Sequence, residues 1–196
     1  MQSKARLGAC AIPAGVCMSV YTLLRFLRIA MFGAAMFDVQ GLLLIAASLP
    51  LCLLAVAAAV FLFRRQRSLV PAILFFAAAG YELLWFVYGL CAGLDPVLYG
   101  IAALLWGGLG LICLRRRHGP ARGPWWLLIF VLPAYLLASV VISFGPLFSF
   151  SDGASFGMFS TLFVLMLTVT ASDGILCAAV LLTAIAYVTA PKNALV

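Results

Sequence analysis

Charged side chains are scarce in this sequence. Only 9% of its 196 residues are Asp, Glu, Lys or Arg, whereas a soluble domain carries about 25%. Hydrophobic residues make up 67% of the chain, and the mean hydropathy is +1.24. A water-soluble fold of this length cannot hide so much apolar surface, so the composition predicts a protein whose solvent is lipid.

Histidine is almost absent as well. The one histidine, His118, lies in a basic loop rather than in an apolar segment. Metal hydrolases, haem proteins and Ser–His enzymes are therefore not supported. The sequence has no phosphate loop, no dinucleotide fingerprint and no lysine in a clear apolar run, where a Schiff base would be buried. We expect neither enzymatic activity nor a bound metal or other cofactor.

The six cysteines form no metal or redox pattern. They are spread almost one per apolar segment, without a CxxC pair or a neighbouring histidine, at Cys10, Cys17, Cys52, Cys91, Cys113 and Cys177. We interpret them as small apolar packing residues. The net charge of +7 comes from short basic clusters at the ends of apolar runs, where orientation signals lie, so we do not expect nucleic acid as a partner.

Long apolar runs dominate the chain, and a membrane helix needs about 20 such residues. Four runs are clear, at 39–63, 68–94, 96–114 and 125–148. The apolar tail after residue 153 is too long for one straight crossing and contains Ser-Asp-Gly at 172–174, which is turn chemistry. We expect a tight hairpin of helices 154–171 and 174–190, with one tilted or broken helix as the alternative.

The first 37 residues also contain an apolar run, approximately 9–28, that is long enough to cross. Crossing gives the better bias of Lys and Arg across the membrane; the alternatives are a cleaved signal peptide, an interfacial segment or a chain that starts at Met18. The predicted fold is all-α, a polytopic transmembrane helical bundle of six clear spans plus an N-terminal seventh. We treat 1–196 as a single integral membrane domain.

The basic clusters predict the orientation. The loops at 64–67 and 115–124 carry seven of the arginines, while the loops between them on the other side carry no Lys or Arg. We expect these two loops and the N-terminus to be cytoplasmic, in the inner cell membrane. Four aspartates precede predicted helices and are interpreted as N-caps: Asp38, Asp95, Asp152 and Asp173.

Glu82 is the acidic residue that neither capping nor orientation explains. It falls near the middle of the run 68–94, where a charge costs about 2.5 to 3.5 kcal/mol and usually faces a bundle interior or a wet cavity. Trp85 shares its helical face at i+3, Tyr81 and Trp85 form an i, i+4 aromatic pair alongside, and Tyr88 follows one turn after Trp85. Aromatic faces attract cations. We predict that these four residues hold a proton or a small organic cation; the alternative is a protonated Glu82 bonded to a neighbouring helix.

Two arginines lie at the end of the first apolar run, one helical turn apart. Arg25 and Arg28 share a face, and we expect them to reach the outer headgroups. The alternative is that they pair with Glu82.

One run has a small-residue face and two others contain prolines. Small residues recur at helical spacing in 96–114 and predict a seam for close helix packing, formed by Gly100, Ala103, Gly107 and Gly110. The seam's partner is either another helix of this chain or a second chain. Pro50 and Pro133 each remove a backbone donor inside a run, so both helices are expected to kink.

Two functional hypotheses follow. In the first, the protein is a small-solute transporter or a substrate-binding membrane subunit that uses Glu82 as a proton or cation site, with a small cationic or apolar solute as its ligand. In the second, it is a non-catalytic membrane subunit or assembly partner that docks a homo-oligomer partner or another membrane subunit through the small-residue seam. Membrane lipid is a partner in both.

Overall fold

The structure, a computed structural model, describes residues 7–35, 39–65, 69–92, 97–115, 125–149 and 156–189. Six α-helices account for nearly all of the described chain, and none of the described residues forms a strand. In chain order they are α1 (Ala11–Ala35), α2 (Val39–Phe63), α3 (Val70–Ala92), α4 (Val97–Arg115), α5 (Trp125–Ser149) and α6 (Phe156–Val188). The predicted all-helical bundle is confirmed.

Three of these helices are long and apolar enough to cross a membrane, over Val70–Cys91, Val97–Leu114 and Met166–Val188. In the described part of the other helices, the apolar stretches are shorter, at Ala11–Leu27, Ser48–Phe63 and Leu128–Phe144. The helical bundle and these three segments indicate a membrane protein. The predicted count of six clear spans plus a seventh is not confirmed.

The predicted hairpin at the end of the chain is wrong. One continuous helix, α6, runs through Ser172, Asp173 and Gly174 without a turn. Asp173 does not cap a helix, because its carboxylate accepts hydrogen bonds from α5 instead. With 33 residues, α6 is about 50 Å long at 1.5 Å per residue. It exceeds the hydrocarbon thickness of about 30 Å, so we expect it to tilt or to project beyond the apolar layer.

The first helix differs from its prediction in length. The expected span 9–28 is part of a longer helix, α1, which continues to Ala35 and contains both Arg25 and Arg28. Pro50 lies inside α2 and Pro133 inside α5, so both helices continue past a missing backbone donor. The expected kinks stay a prediction. Asp38, Asp95 and Asp152, with their predicted capping roles, lie outside the described residues.

Small residues bring α1, α2 and α6 close together. α1 packs against both α2 and α6, whereas α3 packs mainly against α4. Alanines are fully or almost fully buried along these contacts, including Ala14 of α1, Ala58 of α2 and Ala184 of α6. Small side chains let backbones approach closely, which is how helices associate where lipid removes the hydrophobic driving force.

The small-residue seam of α4 faces α3 of the same chain. A Cβ added at Gly100 would lie 2.9 Å from Phe86, and one added at Gly110 would lie 3.2 Å from Phe76. At Gly107 the nearest atom is the Cβ of Ala79, at 3.7 Å. The partner of the seam is therefore a neighbouring helix, not a second chain, at these three positions.

Hydrogen bonds join three chain segments at one end of the bundle. The Leu7 N–H donates to the Arg65 carbonyl and the Gly8 N–H to the Ala186 carbonyl, each at 3.0 Å. A Cβ at position 8 would clash with the Thr189 side chain and approach the Ala186 carbonyl to 3.2 Å, so a larger residue there would require these neighbours to shift. The start of α1 and the ends of α2 and α6 thus lie at the same end of the protein.

Candidate functional site

A partly open cavity of about 200 Å³ lies between the helices of the bundle. Five helices line it, and each contributes one polar or charged side chain: Arg25 from α1, Glu82 from α3, Tyr99 from α4, Tyr135 from α5 and Asp173 from α6. Apolar side chains complete the wall at Leu98, Ala102, Ile142 and Val169. The cavity therefore combines three charged groups, two phenols and an apolar surface.

The charged residues lie deep within the bundle. Glu82 lies near the middle of α3, about 18 Å along the helix from Val70 at 1.5 Å per residue. Asp173 lies near the middle of α6. Both side chains are buried, with 3% of Glu82 and 6% of Asp173 exposed. From these mid-helix positions the cavity extends to the first turn of α4, where Leu98 and Tyr99 lie.

Glu82 forms an ion pair with Arg25. The distance from Arg25 Nη1 to Glu82 Oε1 is 3.8 Å, and both side chains are largely buried. The expectation that Arg25 reaches the headgroups is wrong, because its guanidinium turns inward to the carboxylate, as in the alternative interpretation. The side chain of Arg28 lies outside the described part of the structure.

Aromatic packing positions the Arg25 guanidinium. Its Nη1 donates a hydrogen bond to the Tyr21 hydroxyl at 2.6 Å, and its central carbon lies 5.9 Å from the Tyr21 ring centroid. The Tyr21 ring packs on Trp106, which stacks on Phe75. Arg25 Nε is buried and has no hydrogen-bond partner. A buried cation held in this way depends on its anionic neighbours, because removing a partner leaves an uncompensated charge.

Asp173 is a second buried carboxylate, which the sequence analysis misassigned to a helix cap. Tyr135 donates a hydrogen bond to its Oδ1 at 3.0 Å, and Ser139 donates to its Oδ2 at 2.5 Å. Tyr135 and Ser139 lie four residues apart on α5, so they share one face of that helix. The signal was present in the sequence: if 154–190 is taken as one helix, Asp173 falls in its apolar interior.

The predicted aromatic residues pack against one another beside the cavity. Tyr81, Trp85 and Tyr88 form a series of ring contacts along α3, at 6.5 Å and 5.4 Å between centroids. Trp85 also stacks on Tyr99 of α4 at 6.1 Å. Of the four predicted site residues, only Glu82 lines the cavity, and Tyr88 is 56% exposed. Tyr99, which the sequence analysis missed, connects these rings to the cavity.

The charged groups form one electrostatic unit. Arg25, Glu82 and Asp173 are all close enough to interact electrostatically with both Tyr21 and Tyr135. Such interactions are stronger here than in water, because the effective dielectric constant of a buried site is low. With both carboxylates ionised, the described side chains lining the cavity carry one positive and two negative charges.

No group of three or more His, Cys, Asp or Glu side chains suited to a metal ion occurs among the described residues. The arrangement is instead that of a small polar cavity with an ion pair on one side and a hydrogen-bonded carboxylate on the other. Comparison with protein-family models, with curated proteins and with solved structures finds no match to this chain.

Proposed function

We propose that this membrane protein is a small-solute transporter, or the substrate-binding subunit of one, and that its solute enters the cavity lined by Arg25, Glu82 and Asp173. In this proposal Glu82 belongs to the proton or cation site. The observation that carries the proposal is that three ionisable side chains from three helices line one cavity of the bundle.

The energetics favour a role in binding over a purely structural role. Charged side chains inside a membrane are costly and usually mark a pathway or a binding site. A bundle that needed only stability would gain as much from apolar side chains of similar volume, because desolvation offsets most of the attraction in a buried ion pair. The residues forming this cavity thus retain charge where packing alone does not require it.

The size of the cavity sets the size of the solute. A cavity needs about 10 to 15 Å³ to hold one water molecule, so 200 Å³ accommodates a cluster of about a dozen waters or one small solute. Pockets for drug-sized ligands begin at about 300 Å³. The proposal is therefore limited to solutes of a few heavy atoms.

The proposed topology has six crossings and a cytoplasmic end formed by the start of α1 and the ends of α2 and α6. Backbone hydrogen bonds join these three segments. If the six helices alternate in direction, every lysine and arginine other than Arg25 and Arg28 is next in sequence to a helix terminus at this same end. Lys192 follows α6 in the sequence, so the proposed topology with a single α6 assigns it to this end, whereas a hairpin would assign it to the opposite end. This distribution supports an inner-membrane protein with that end inside.

The proposal is tested by flux measurements in reconstituted vesicles. Purified protein is placed in liposomes with a trapped pH dye, and gradients of tetramethylammonium, glycine and acetate are applied in turn. We expect one of them to drive proton movement in the wild type. Glu82→Gln should retain helix content and elution volume but lose this movement, because it removes a charge from the cavity. Thr168→Ala, which removes an exposed hydroxyl bonded within α6, is the control.

Proton movement that is unchanged in Glu82→Gln would reject the role of Glu82, and no movement with any solute would reject transport by this chain alone. The assembly hypothesis draws no support from the seam, since α3 occupies it at Gly100, Gly107 and Gly110. Purification in mild detergent separates the two hypotheses. A stoichiometric foreign subunit would favour the assembly role, and a monomer or homodimer favours transport.

A further inference from the structure

The two carboxylates of the cavity are not equivalent. Glu82 has a counter-charge, the Arg25 guanidinium, at 3.8 Å. Asp173 is bonded by two neutral hydroxyl groups, from Tyr135 and Ser139, and no cationic side chain of the described residues lies within 4.0 Å of it. The pair of Arg25 and Glu82 is neutral as a unit, so the uncompensated negative charge of the cavity belongs to Asp173.

The surroundings of Asp173 can satisfy its carboxyl group both with and without a proton. A hydroxyl group can donate to an ionised carboxylate and can rotate to accept from a protonated one. Tyr135 and Ser139 therefore satisfy Asp173 in both protonation states without any rearrangement of the backbone. A fixed guanidinium cannot do this, because it has only donors.

The wall of the cavity indicates the kind of cation that would replace the proton. With both carboxylates ionised, the described lining groups sum to one negative charge, so one positive charge neutralises the cavity. Leu98, Ile142 and Val169 offer apolar contact, and the Tyr99 ring offers an aromatic face. A hydrated metal ion gains nothing from apolar walls, whereas a cation with methyl or methylene groups gains from every such contact.

We infer that Asp173 is the exchange site of this cavity, and that a small monovalent organic cation and a proton compete for its carboxylate. The inference rests on the proposed function in that it names the ligand of the same cavity. Glu82 then acts as the fixed counter-charge of Arg25 rather than as the proton carrier.

In the described structure, polar and titratable side chains face Asp173 from each neighbouring helix. They are Tyr21 and Arg25 of α1, Glu82 of α3, Tyr99 of α4, Tyr135 and Ser139 of α5, and Cys177 on its own helix. Phenols and a thiol beside an acid stay protonated in acidic solution. Between about pH 4 and pH 8, a change in cation binding therefore reports one of the two carboxylates.

The test is a binding titration in lipid nanodiscs. Radiolabelled tetramethylammonium is titrated onto the purified full chain between pH 8 and pH 4, with tert-butanol and acetate as unlabelled neutral and anionic competitors. We expect saturable binding to one site per chain that neither competitor displaces. Once the proton occupies the carboxylate, the Kd for tetramethylammonium should rise by about tenfold for each unit by which the pH is lowered. Mass action requires this for one competing proton.

Three variants identify the carboxylate. Asp173→Asn should bind at least tenfold more weakly, and its residual binding should not depend on pH. Asp173→Glu should retain the pH dependence. Ser172→Ala, at the adjacent buried position, should behave as the wild type. The inference would be overturned if Asp173→Asn retained pH-dependent binding. It would also be overturned if acetate displaced tetramethylammonium, or if the wild type did not bind tetramethylammonium.

A second measurement does not depend on how well Asp173→Asn folds. Dicyclohexylcarbodiimide modifies protonated carboxyl groups in apolar surroundings, and mass spectrometry maps the modified residue. In the wild type we expect modification at Asp173 that tetramethylammonium blocks. Modification at Glu82 instead would contradict the assignment.

These results separate the inference from the proposed function. Binding that follows Asp173, without flux in vesicles, would leave the inference standing and reject transport by the isolated chain. Flux that persists with pH dependence in Asp173→Asn and is lost in Glu82→Gln would leave the proposed function standing and overturn the inference.

Discussion

The hydrogen bond from Ser139 to Asp173 connects α5 to the site, and its removal has a calculable cost. Its length is 2.5 Å, the acceptor is a carboxylate and Ser139 is fully buried. Hydrogen bonds to charged groups contribute about 1.5 to 3 kcal/mol to stability. Double-mutant cycles on hydrogen bonds between membrane helices give less, about 0.6 kcal/mol on average and about 1.7 kcal/mol at most. The short, charged contact belongs at the upper end of the membrane range, so Ser139→Ala should destabilise the protein by about 1.5 kcal/mol.

A matched control isolates this bond from the loss of a hydroxyl group. Thr183 is equally buried, but its hydroxyl donates to the Ala179 carbonyl within its own helix. Thr183→Ala should cost about 0.5 kcal/mol or less, because that carbonyl retains its backbone donor. The free energy of unfolding is measured by detergent-induced unfolding in mixed micelles, followed by tryptophan fluorescence and extrapolated linearly.

A double-mutant cycle then tests whether the cost comes through Asp173. Ser139→Ala should cost about 1 kcal/mol less in an Asp173→Asn background, since the charged acceptor has already been removed. Equal costs for Ser139→Ala and Thr183→Ala would refute the reasoning. Strict additivity of Ser139→Ala with Asp173→Asn would refute it too, because the hydroxyl would then not act on the carboxylate.

The other predictions concern packing and topology. Gly107→Leu should destabilise the α3–α4 contact by about 1 to 3 kcal/mol through overpacking, whereas Gly107→Ala should be tolerated, because the added Cβ would be 3.7 Å from Ala79. Detergent unfolding of both variants measures the difference, and equal stabilities would contradict the packing of α4 against α3. A reporter fused after residue 196 should lie on the same side of the membrane as one fused before residue 1, because a single helix α6 makes the number of proposed crossings even. Reporters on opposite sides would contradict the single helix and support the hairpin.

Helix positions followed from the sequence wherever charge and turn residues bounded an apolar run. The helix predicted at 68–94 is α3, from Val70 to Ala92, and that predicted at 125–148 is α5, from Trp125 to Ser149. The burial of Glu82 was predictable by the same reasoning, because an acid in the middle of an apolar run stands out against its neighbours. These are local properties, which one stretch of sequence contains in full.

Asp173 and Arg25 were misassigned because their roles depend on other helices. Asp-Gly favours a turn, but the two α5 hydroxyls that bond Asp173 lie more than thirty residues away in the sequence. Arg25 lies near the end of its apolar run, where headgroup contact is the usual outcome. Its pairing with Glu82 of α3 depends on how the helices are arranged in the bundle, which the run itself does not show. Propensity is overruled here by tertiary contacts that no local pattern contains.

The most direct test of the account is a measurement of cation binding after the internal ion pair is removed. Glu82→Gln leaves the Arg25 and Asp173 charges, which sum to zero, so tetramethylammonium should no longer bind measurably. Arg25→Gln combined with Glu82→Gln leaves Asp173 alone as the cavity's charge. We predict that this double variant regains an affinity within about tenfold of the wild type. Failure of both variants to bind, with both folded by elution volume and helix content, would contradict the claim that Asp173 carries the exchangeable charge.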